Sequence, residues 1–508
     1  MSGLSSRAIR ALGVACMGAV GGVLVPAVAA GHTISGRVDS PLPFVAYIGG
    51  AGIAVAVSFA LVAVRDPGPP SDPAPLRTRV VPRALRLGLR AVGLVAWLWI
   101  VAQALIGGSS DADVASLFLW TYGWVGLALV SALIGPVWSW LDPFTTLHDL
   151  GAGAFRRLNI TGISPEEWPE HVGRWPAVIG FAFFIWLELV ARVGSGRLLG
   201  MMLISYTLIT LVGMAQYGRD TWRENGETFG VWFRTLGRLA PLALDGGPEG
   251  GRLHRRPFGA GLAAGGWTID QVVLVTLGTG SILYDGLSQT RSFFDLFQFP
   301  AIPLGTVLLA AFLGGLVAIV LAVARRVGLA AVGAGLLPVA LGYLTAHYLS
   351  ALLIDGQRIL IAISDPFQQG WDLFGTAFLE PRSDWLPAGV VWGIQVAAVI
   401  TGHIVGAWAG HAVVRSDGRG ARGVVGGRPG RTSSQWPLAA LMIGLTCATL
   451  WSLGQNLVFE SASTAQRTHD AAPPRAASRR VADSRVWSPQ QISRSIRSGA
   501  PTSGLTFD

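Results

Sequence analysis

Stretches of about 20 mostly apolar residues recur along the chain, and they constrain its fold more than any other feature. A helix of about 20 such residues crosses the hydrocarbon core of a bilayer. The sequence therefore predicts an all-α, polytopic transmembrane helical bundle of about ten spans after an N-terminal signal segment. The predicted spans are 43–64, 88–107, 113–134, 175–193, 198–216, 268–288, 301–324, 329–353, 386–410 and 436–458.

The composition favours a membrane protein over a soluble enzyme. Apolar residues make up 51% of the 508 residues and charged residues only 13%, and the mean hydropathy is +0.51. Such values are typical of polytopic membrane proteins. The basic residues are all arginine and fall between the apolar windows, so the net charge of +9 does not indicate nucleic-acid binding. Cys16 and Cys447 lie in apolar stretches and predict neither a disulfide framework nor a cysteine metal site.

Residues 1–30 have the features of a signal peptide or of an uncleaved N-terminal anchor. Arg7 and Arg10 precede an apolar stretch, and small residues of the kind that a signal peptidase recognises follow near Ala29 and Ala30. Cleavage there would leave His32 close to the new amino terminus, where an amine and an imidazole could chelate a metal. In an uncleaved anchor, His32 would have no such role.

Arginines between the predicted spans indicate how the chain is oriented. With residue 31 outside, the arginine-rich stretches 65–87, 217–267 and 415–431 fall on the cytoplasmic side, as the positive-inside rule expects. We therefore predict a multi-pass protein of the cell (cytoplasmic) membrane. Its predicted parts are a first transmembrane half at 31–216, an arginine-rich cytoplasmic loop at 217–267, a second half at 268–460 and a disordered tail at 461–508.

Two stretches, "LDPFTTLHDLG" and "SDPFQQGWDLFG", repeat Asp-Pro-Phe followed by Asp-Leu at the same separation. Five predicted spans separate the copies, which would place them on opposite faces of the membrane. This arrangement predicts a five-plus-five inverted repeat of the kind found in secondary transporters. Alternatively, each motif begins a short interfacial helix, because proline favours the first turn and aspartate caps it. The motif residues are Asp142, Pro143, Phe144 and Asp149, and Asp365, Pro366, Phe367 and Asp372.

Four ionisable residues at a shared predicted depth form a candidate ion or proton site. Each ionisable side chain inside a span costs about 2.5–3.5 kcal/mol on insertion scales and so calls for a reason. Histidine titrates near neutrality, and a nearby carboxylate favours its charged form. The site comprises His347, Asp355, Asp285 and Glu188, and the candidate ligands of a divalent metal are His347, Asp355 and His32. The residues leave open which cofactor, if any, is bound, and which residues would be catalytic.

Other patterns predict packing. Glu188 and Arg192 stand four residues apart, the spacing of an ion pair on one helical face. His403 is expected about 15 Å from the level of His347, so we predict that it hydrogen-bonds to its neighbours and shares no metal with His347. Small residues spaced by four on the same span predict a face where two helices approach closely. These residues are Gly402, Gly406 and Gly410.

Several phrases resemble those of multispanning actinobacterial membrane proteins that are often called fenitrothion hydrolases. They are "GHTISGRVDSPLPFVAYIGG", "GPVWSWLDPFTTL", "HYLSALLIDGQR", "SDPFQQGWDLFGT" and "GHIVGAWAGHAV", and the likeness covers most of the membrane region. The resemblance implies hydrolysis of an organophosphorus ester. The sequence itself contains neither a Gly-x-Ser-x-Gly elbow nor a Walker A loop.

Three functions remain open. The first is a transporter-like protein that moves a small solute or ion through the bundle. The repeated motif and the intramembrane ionisable residues support this function. The second is a membrane-embedded, metal-dependent hydrolase, as the resemblance implies. The third is a membrane anchor or accessory subunit of a partner complex. The expected partners are the lipid bilayer and a small solute or ion, with a protein partner in the third case and no nucleic acid in any.

Overall fold

The protein is described by a computed structural model of the chain. All residues between 78 and 453 that it describes belong to one unit, Met1–Val458. The predicted signal segment, His32, nearly all of the predicted span at 43–64 and the predicted tail at 461–508 lie outside the described residues. Those residues are 49, 52, 53, 56, 57, 78–107, 113–159, 164–193, 196–245, 251–263, 266–298, 300–382, 385–420 and 436–453.

Helices dominate the first half of the described chain. The second of them is π-helical over Leu117–Leu127, and the fifth is extended by a π-helical turn at Leu187–Ala191. The helices are α1 (Arg83–Ile106), α2 (Val114–Leu133), α3 (Trp138–Leu141), α4 (Pro143–Arg157), α5 (Trp175–Trp186), α6 (Arg197–Tyr217), α7 (Arg219–Asn225) and α8 (Thr228–Leu236).

The second half is also helical, with 3₁₀ turns at Ala260–Leu262 and Asp355–Gln357. A capping box between Thr268 and Gln271 begins its first helix. The helices are α9 (Ile269–Ser288), α10 (Arg291–Phe297), α11 (Ile302–Val327), α12 (Leu329–Ile354), α13 (Arg358–Ser364), α14 (Ala388–Gly420) and α15 (Trp436–Leu453).

A small antiparallel sheet accompanies the helices. Its strands are β1 (Thr78–Val80), β2 (Leu242–Asp245) and β3 (Arg252–Arg255), and β3 lies in the middle. Thr78 is opposite His254 in one pair, and Asp245 is opposite Arg252 in the other. The sheet ties the chain before α1 to the segment after α8.

Among the described residues, seven helices are long and apolar enough to cross a membrane, by length and composition. Two further helices, α9 and α15, coincide with the predicted spans at 268–288 and 436–458. The predicted helical bundle is thus confirmed, whereas the count of about ten spans and the inverted repeat stay predictions. The seven are Arg83–Ile106, Val114–Leu133, Glu170–Ala191, Arg197–Tyr217, Ile302–Val327, Leu329–Ser364 and Gly389–Val413.

The helices differ sharply in how much protein surrounds them. The most apolar window in Leu329–Ser364, which contains α12, is 83% buried, so α12 is a central helix of the bundle. The corresponding window of α11 is only 22% buried, and its exposed side chains include Val307 and Ile319. An apolar, protein-free face of this kind is what a lipid-facing helix requires.

The segment predicted as a cytoplasmic loop, 217–267, contains α7, α8, β2 and β3, and it contributes to the core. Trp232 of α8 is 1% exposed and stacks on Phe181 of α5 and Trp124 of α2, with ring centroids 4.9 and 5.9 Å apart. Glu227 caps α8 by accepting hydrogen bonds from Phe229 N and Gly230 N. Helix α8 is amphipathic, and its apolar face explains why so short a helix packs inside the bundle.

The predicted glycine face lies against α12. A Cβ added to Gly402 would lie 2.6 Å from the carbonyl oxygen of Pro338, and one added to Gly410 would lie 3.1 Å from that of Ala331. Gly406 similarly meets the carbonyl of Gly335. Glycine at these positions lets α12 and α14 touch backbone to backbone, as small residues do in membrane bundles.

Candidate functional site

A buried imidazole and a carboxylate meet between α12 and α9. His347 Nε2 lies 2.7 Å from Asp285 Oδ2, and the two side chains are 7% and 16% exposed. His347 stands on the central helix, where apolar neighbours exclude water, and Asp285 stands in the last turn of α9. Gln289 Nε2 donates to the other oxygen of Asp285 at 2.8 Å, so both carboxylate oxygens have partners.

Tyr348 extends this pair toward a second carboxylate. Its hydroxyl donates to Glu188 Oε1 at 3.2 Å and lies 3.5 Å from Asp285 Oδ2. The Tyr348 ring meets the His347 ring edge to face, with centroids 4.6 Å apart, and packs against Trp124 of α2. Three helices thus supply the four side chains, which we call the carboxylate–histidine cluster: Glu188, Asp285, His347 and Tyr348.

Glu188 occupies a special backbone position. It lies in the π-helical turn Leu187–Ala191, a type of helix defect that is frequent at functional sites. Its Oε2 atom is buried and has no hydrogen-bond partner among the described residues. A buried polar atom without a partner costs free energy, so this oxygen is a natural acceptor for a proton or a small cation.

The cluster can pass a proton along connected hydrogen-bonding groups. Imidazole, carboxylate and phenol all accept and donate protons in one of their forms, and the distances from Glu188 through Tyr348 to Asp285 and His347 are 3.2, 3.5 and 2.7 Å. The low dielectric of the bundle strengthens these interactions while it makes an unpaired charge costly. The arrangement is therefore suited to holding one charge and to changing its position.

The structure brings together three of the four predicted site residues. Asp285, Glu188 and His347 share the cluster, whereas Asp355 ends α12, about 12 Å farther along the helix axis than His347. Asp355 lies 3.5 Å from Arg358 instead. Among the described residues, no group of three or more His, Cys, Asp and Glu side chains is arranged to hold a metal ion.

The predicted ion pair between Glu188 and Arg192 is wrong. Glu188 contacts Tyr348, and Arg192 adopts a left-handed conformation with φ of 50° that ends the helix. The π-helical turn and this reversal change the angle between the two side chains, so the spacing of an ideal α-helix no longer places them on one face.

The first copy of the repeated motif begins a helix, as predicted. Asp142 caps α4 through Phe144 N and Thr145 N, with Pro143 in the first turn. Asp142 also pairs with Arg223 of α7 at 3.0 Å, and both side chains are almost fully buried. Asp149, one heptad later, pairs with Arg219 at 3.0 Å and with Arg90 of α1. The first motif therefore anchors α4 to two other helices.

The second copy does not begin a helix, which corrects that prediction. Asp365 follows the end of α13, and its carboxylate accepts hydrogen bonds from Gln369 N and Gly370 N in a turn. Asp372 accepts from Ser364 Oγ at 2.8 Å and from Ala377 N. Pro366 and Phe367 lie in a turn, and Gln368, Gly370 and Gly375 beyond them have positive φ, which is incompatible with a helix continuing there.

His403 behaves as a packing residue. It is fully buried on α14, and its Nδ1 lies 2.8 Å from the Val399 carbonyl oxygen one turn earlier. The prediction that it bonds to a neighbour agrees with this contact.

Sequence reasoning missed Tyr348, which joins the two carboxylates. An isolated tyrosine in an apolar stretch gives little signal, because most such residues pack in cores. Its position next to His347 was the only hint, and adjacent residues on a helix do not face the same way. The tertiary fold decides that both rings reach the same carboxylate.

Comparison with protein-family models, with curated proteins and with solved structures found no match. The chain's class therefore rests on its own architecture. In the part of the chain that the structure describes, seven apolar helices of membrane-spanning length, a central buried helix and apolar outer faces define a multi-pass integral membrane protein.

Proposed function

We propose that this protein is transporter-like and moves protons or a small cation through its helical bundle, in the cell membrane. The observation that carries the proposal is the carboxylate–histidine cluster, in which Asp285 lies 2.7 Å from His347 and close to the Tyr348 hydroxyl that binds Glu188. Ionisable residues inside membrane bundles are costly and commonly mark ion pathways and proton relays.

Burial alone does not account for these four side chains. Apolar residues of similar volume would fill the same space without the cost of desolvating two carboxylates. Glu188 also keeps one buried oxygen without a partner among the described residues. An oxygen without a partner can accept a proton or cation without giving up another hydrogen bond, whereas a fully satisfied carboxylate would have to break one first. The predicted inverted repeat would supply the two alternating halves.

The test is ion flux into proteoliposomes. Purified protein is reconstituted with an internal pH-sensitive dye, and proton entry is measured under an imposed gradient, with and without sodium or potassium. We expect Asp285→Asn and Glu188→Gln to lower the rate by about tenfold or more, since each removes a titrating group from the relay. Asp295→Asn is the matched control, because Asp295 is 55% exposed and pairs with Arg291.

Flux through wild-type protein that is no faster than through empty liposomes, with the protein folded and correctly inserted, would contradict the proposal. Equal flux rates for Asp285→Asn, Glu188→Gln and Asp295→Asn would show that transport does not depend on the carboxylate–histidine cluster. Purification with a stoichiometric partner would instead favour an anchor or accessory subunit.

Hydrolysis of an organophosphorus ester is a second proposal, based on the sequence resemblance. The observation in its favour is the Asp285 carboxylate at 2.7 Å from His347, because a carboxylate in this position orients an imidazole as a general base. Release of nitrophenol from a nitrophenyl organophosphate, measured with and without added zinc, tests this activity. Activity that His347→Ala leaves unchanged would contradict a role of this pair.

A further inference from the structure

A cationic cavity lies at the ends of α5 and α9, away from the carboxylate–histidine cluster. Its volume is about 420 Å³, and α8 and β2 form much of its wall. Five arginines and two glutamates line it, so positive charge is in excess. The charged residues are Arg174, Arg223, Arg234, Arg238, Arg256, Glu224 and Glu227.

The glutamates do little to neutralise the arginines. Glu227 is occupied by Tyr206, by the amides of Phe229 and Gly230 and by Trp138 Nε1 at 3.3 Å. Glu224 is 62% exposed and lies 3.7 Å from Arg234, a loose ion pair in water. Asp142 neutralises Arg223 at 3.0 Å, so carboxylates balance only part of the cavity's positive charge.

Arg174 is the arginine most available to a ligand. Its side chain lines the cavity and makes no hydrogen bond or ion pair with the described residues, whereas its backbone N donates to Asp270 at 2.6 Å. Arg256, in contrast, donates to the carbonyls of Ala240 and Gly237. Arg238 lies over the Trp267 ring at 4.3 Å. The fold thus holds the guanidinium groups of Arg256 and Arg238 in place, whereas that of Arg174 can still bind a ligand.

Electrostatics agree with an anion in this cavity. Burial, and then the nearby charges of Arg174 and Arg256, lower the pKa of Arg238 to about 10. Burial also lowers the pKa of Arg234; Glu224 partly opposes this change, while Arg223 and Arg174 add to it. A bound anion would relieve this repulsion.

A second cavity continues the basic surface. Its volume is about 290 Å³, and it shares Ser139 and Arg223 with the first. Arg83, Arg86 and Arg219 line it as well. The two cavities lie at the ends of the predicted spans on the side that the arginine distribution marks as cytoplasmic, where phosphate groups occur both free and on lipids.

We propose that the 420 Å³ cavity binds a phosphate group, held by Arg174 together with Arg234 and Arg238. Guanidinium groups recognise phosphate through paired, charge-assisted hydrogen bonds. The phosphate belongs either to a free anion or to the headgroup of an anionic phospholipid. Both present the same chemistry to the arginines.

The test measures thermal unfolding of the purified full-length protein with two probes. The first is inorganic phosphate in detergent, titrated against chloride at constant ionic strength. The second is reconstitution into phosphatidylglycerol vesicles compared with phosphatidylcholine vesicles. We expect at least one probe to raise the unfolding temperature, and we expect Arg174→Gln and Arg234→Gln each to weaken the apparent affinity by about tenfold. Arg291→Gln, which removes the same charge at an exposed position, should respond like wild type.

Stabilisation by phosphate alone assigns the site to a free anion, and stabilisation by phosphatidylglycerol alone assigns it to a lipid headgroup. Either result supports the proposal if Arg174→Gln and Arg234→Gln lose this stabilisation. The proposal is overturned if neither probe stabilises the protein. An equal response of Arg174→Gln, Arg234→Gln and Arg291→Gln also overturns it, because the effect would then reflect general charge screening.

Discussion

His347 Nε2 and Asp285 Oδ2 lie 2.7 Å apart and join the central helix α12 to the last turn of α9. Because both groups are largely buried, removal of one leaves the other without its main partner. A buried group of this kind has few solvent molecules to replace the lost contact.

The first prediction concerns the coupling between these two residues. In a double-mutant cycle of His347→Ala and Asp285→Asn, we expect an interaction free energy of about 0.5–3 kcal/mol, as for residues in one buried hydrogen-bond network. Chemical unfolding of the purified variants in detergent measures it. A parallel cycle of His347→Ala with Asp295→Asn should be additive, since the Asp295 carboxylate pairs with Arg291. Additivity in both cycles would show that the contact carries no energy.

The second prediction concerns the buried ion pair of Asp142 and Arg223. Asp142→Asn keeps a good helix cap but removes the charge that faces Arg223 at 3.0 Å. We expect a loss of about 3–5 kcal/mol in the free energy of unfolding, because the buried guanidinium loses its closest carboxylate and keeps only the exposed Asp220 at 3.7 Å. Asp295→Asn, at a position 55% exposed and paired with Arg291, should cost less than about 1 kcal/mol. Similar losses from both changes would argue against the buried pair.

The third prediction concerns the contact between α12 and α14. Gly402→Ala places a methyl group 2.6 Å from the Pro338 carbonyl oxygen, so the helices must separate and the unfolding temperature should fall. Gly393→Ala on the same helix meets no atom within 4 Å and is exposed. It should instead stabilise by up to about 1 kcal/mol through helix propensity. Differential scanning fluorimetry compares the two, and a fall of equal size for both would contradict the packing role.

The fourth prediction concerns acid stability. Burial acts to raise the pKa of Asp149, but nearby His148 and the hydrogen bonds from Arg90 and Arg219 outweigh it and hold the pKa below its usual value of 3.8. A depressed folded-state pKa stabilises the protein above pH 3.8 and loses this effect as the pH falls through the folded value. Asp149→Asn should therefore lower the unfolding temperature at pH 6, and the difference from wild type should narrow below pH 4. A difference that does not change with pH would refute the assignment.

Much of the architecture could be predicted from the sequence because it depends on local properties. The apolar windows at 88–107, 301–324 and 329–353 coincide with helices α1, α11 and α12, since only a helix satisfies its own backbone over such a length. The cap at Asp142 was equally local. The second motif was misassigned because its acids bind backbone amides in a turn, an alternative that the same residues offer with equal ease.

The sequence by itself determined that this chain is a helical membrane protein and that Asp285, Glu188 and His347 are costly to bury. Only the tertiary structure decided that Tyr348 links them, that Asp355 lies beside Arg358, and that Arg174, Arg234 and Arg238 line one cavity. The physical reason is that hydropathy and capping act within a few turns of one helix, whereas these contacts depend on how helices distant in sequence pack together.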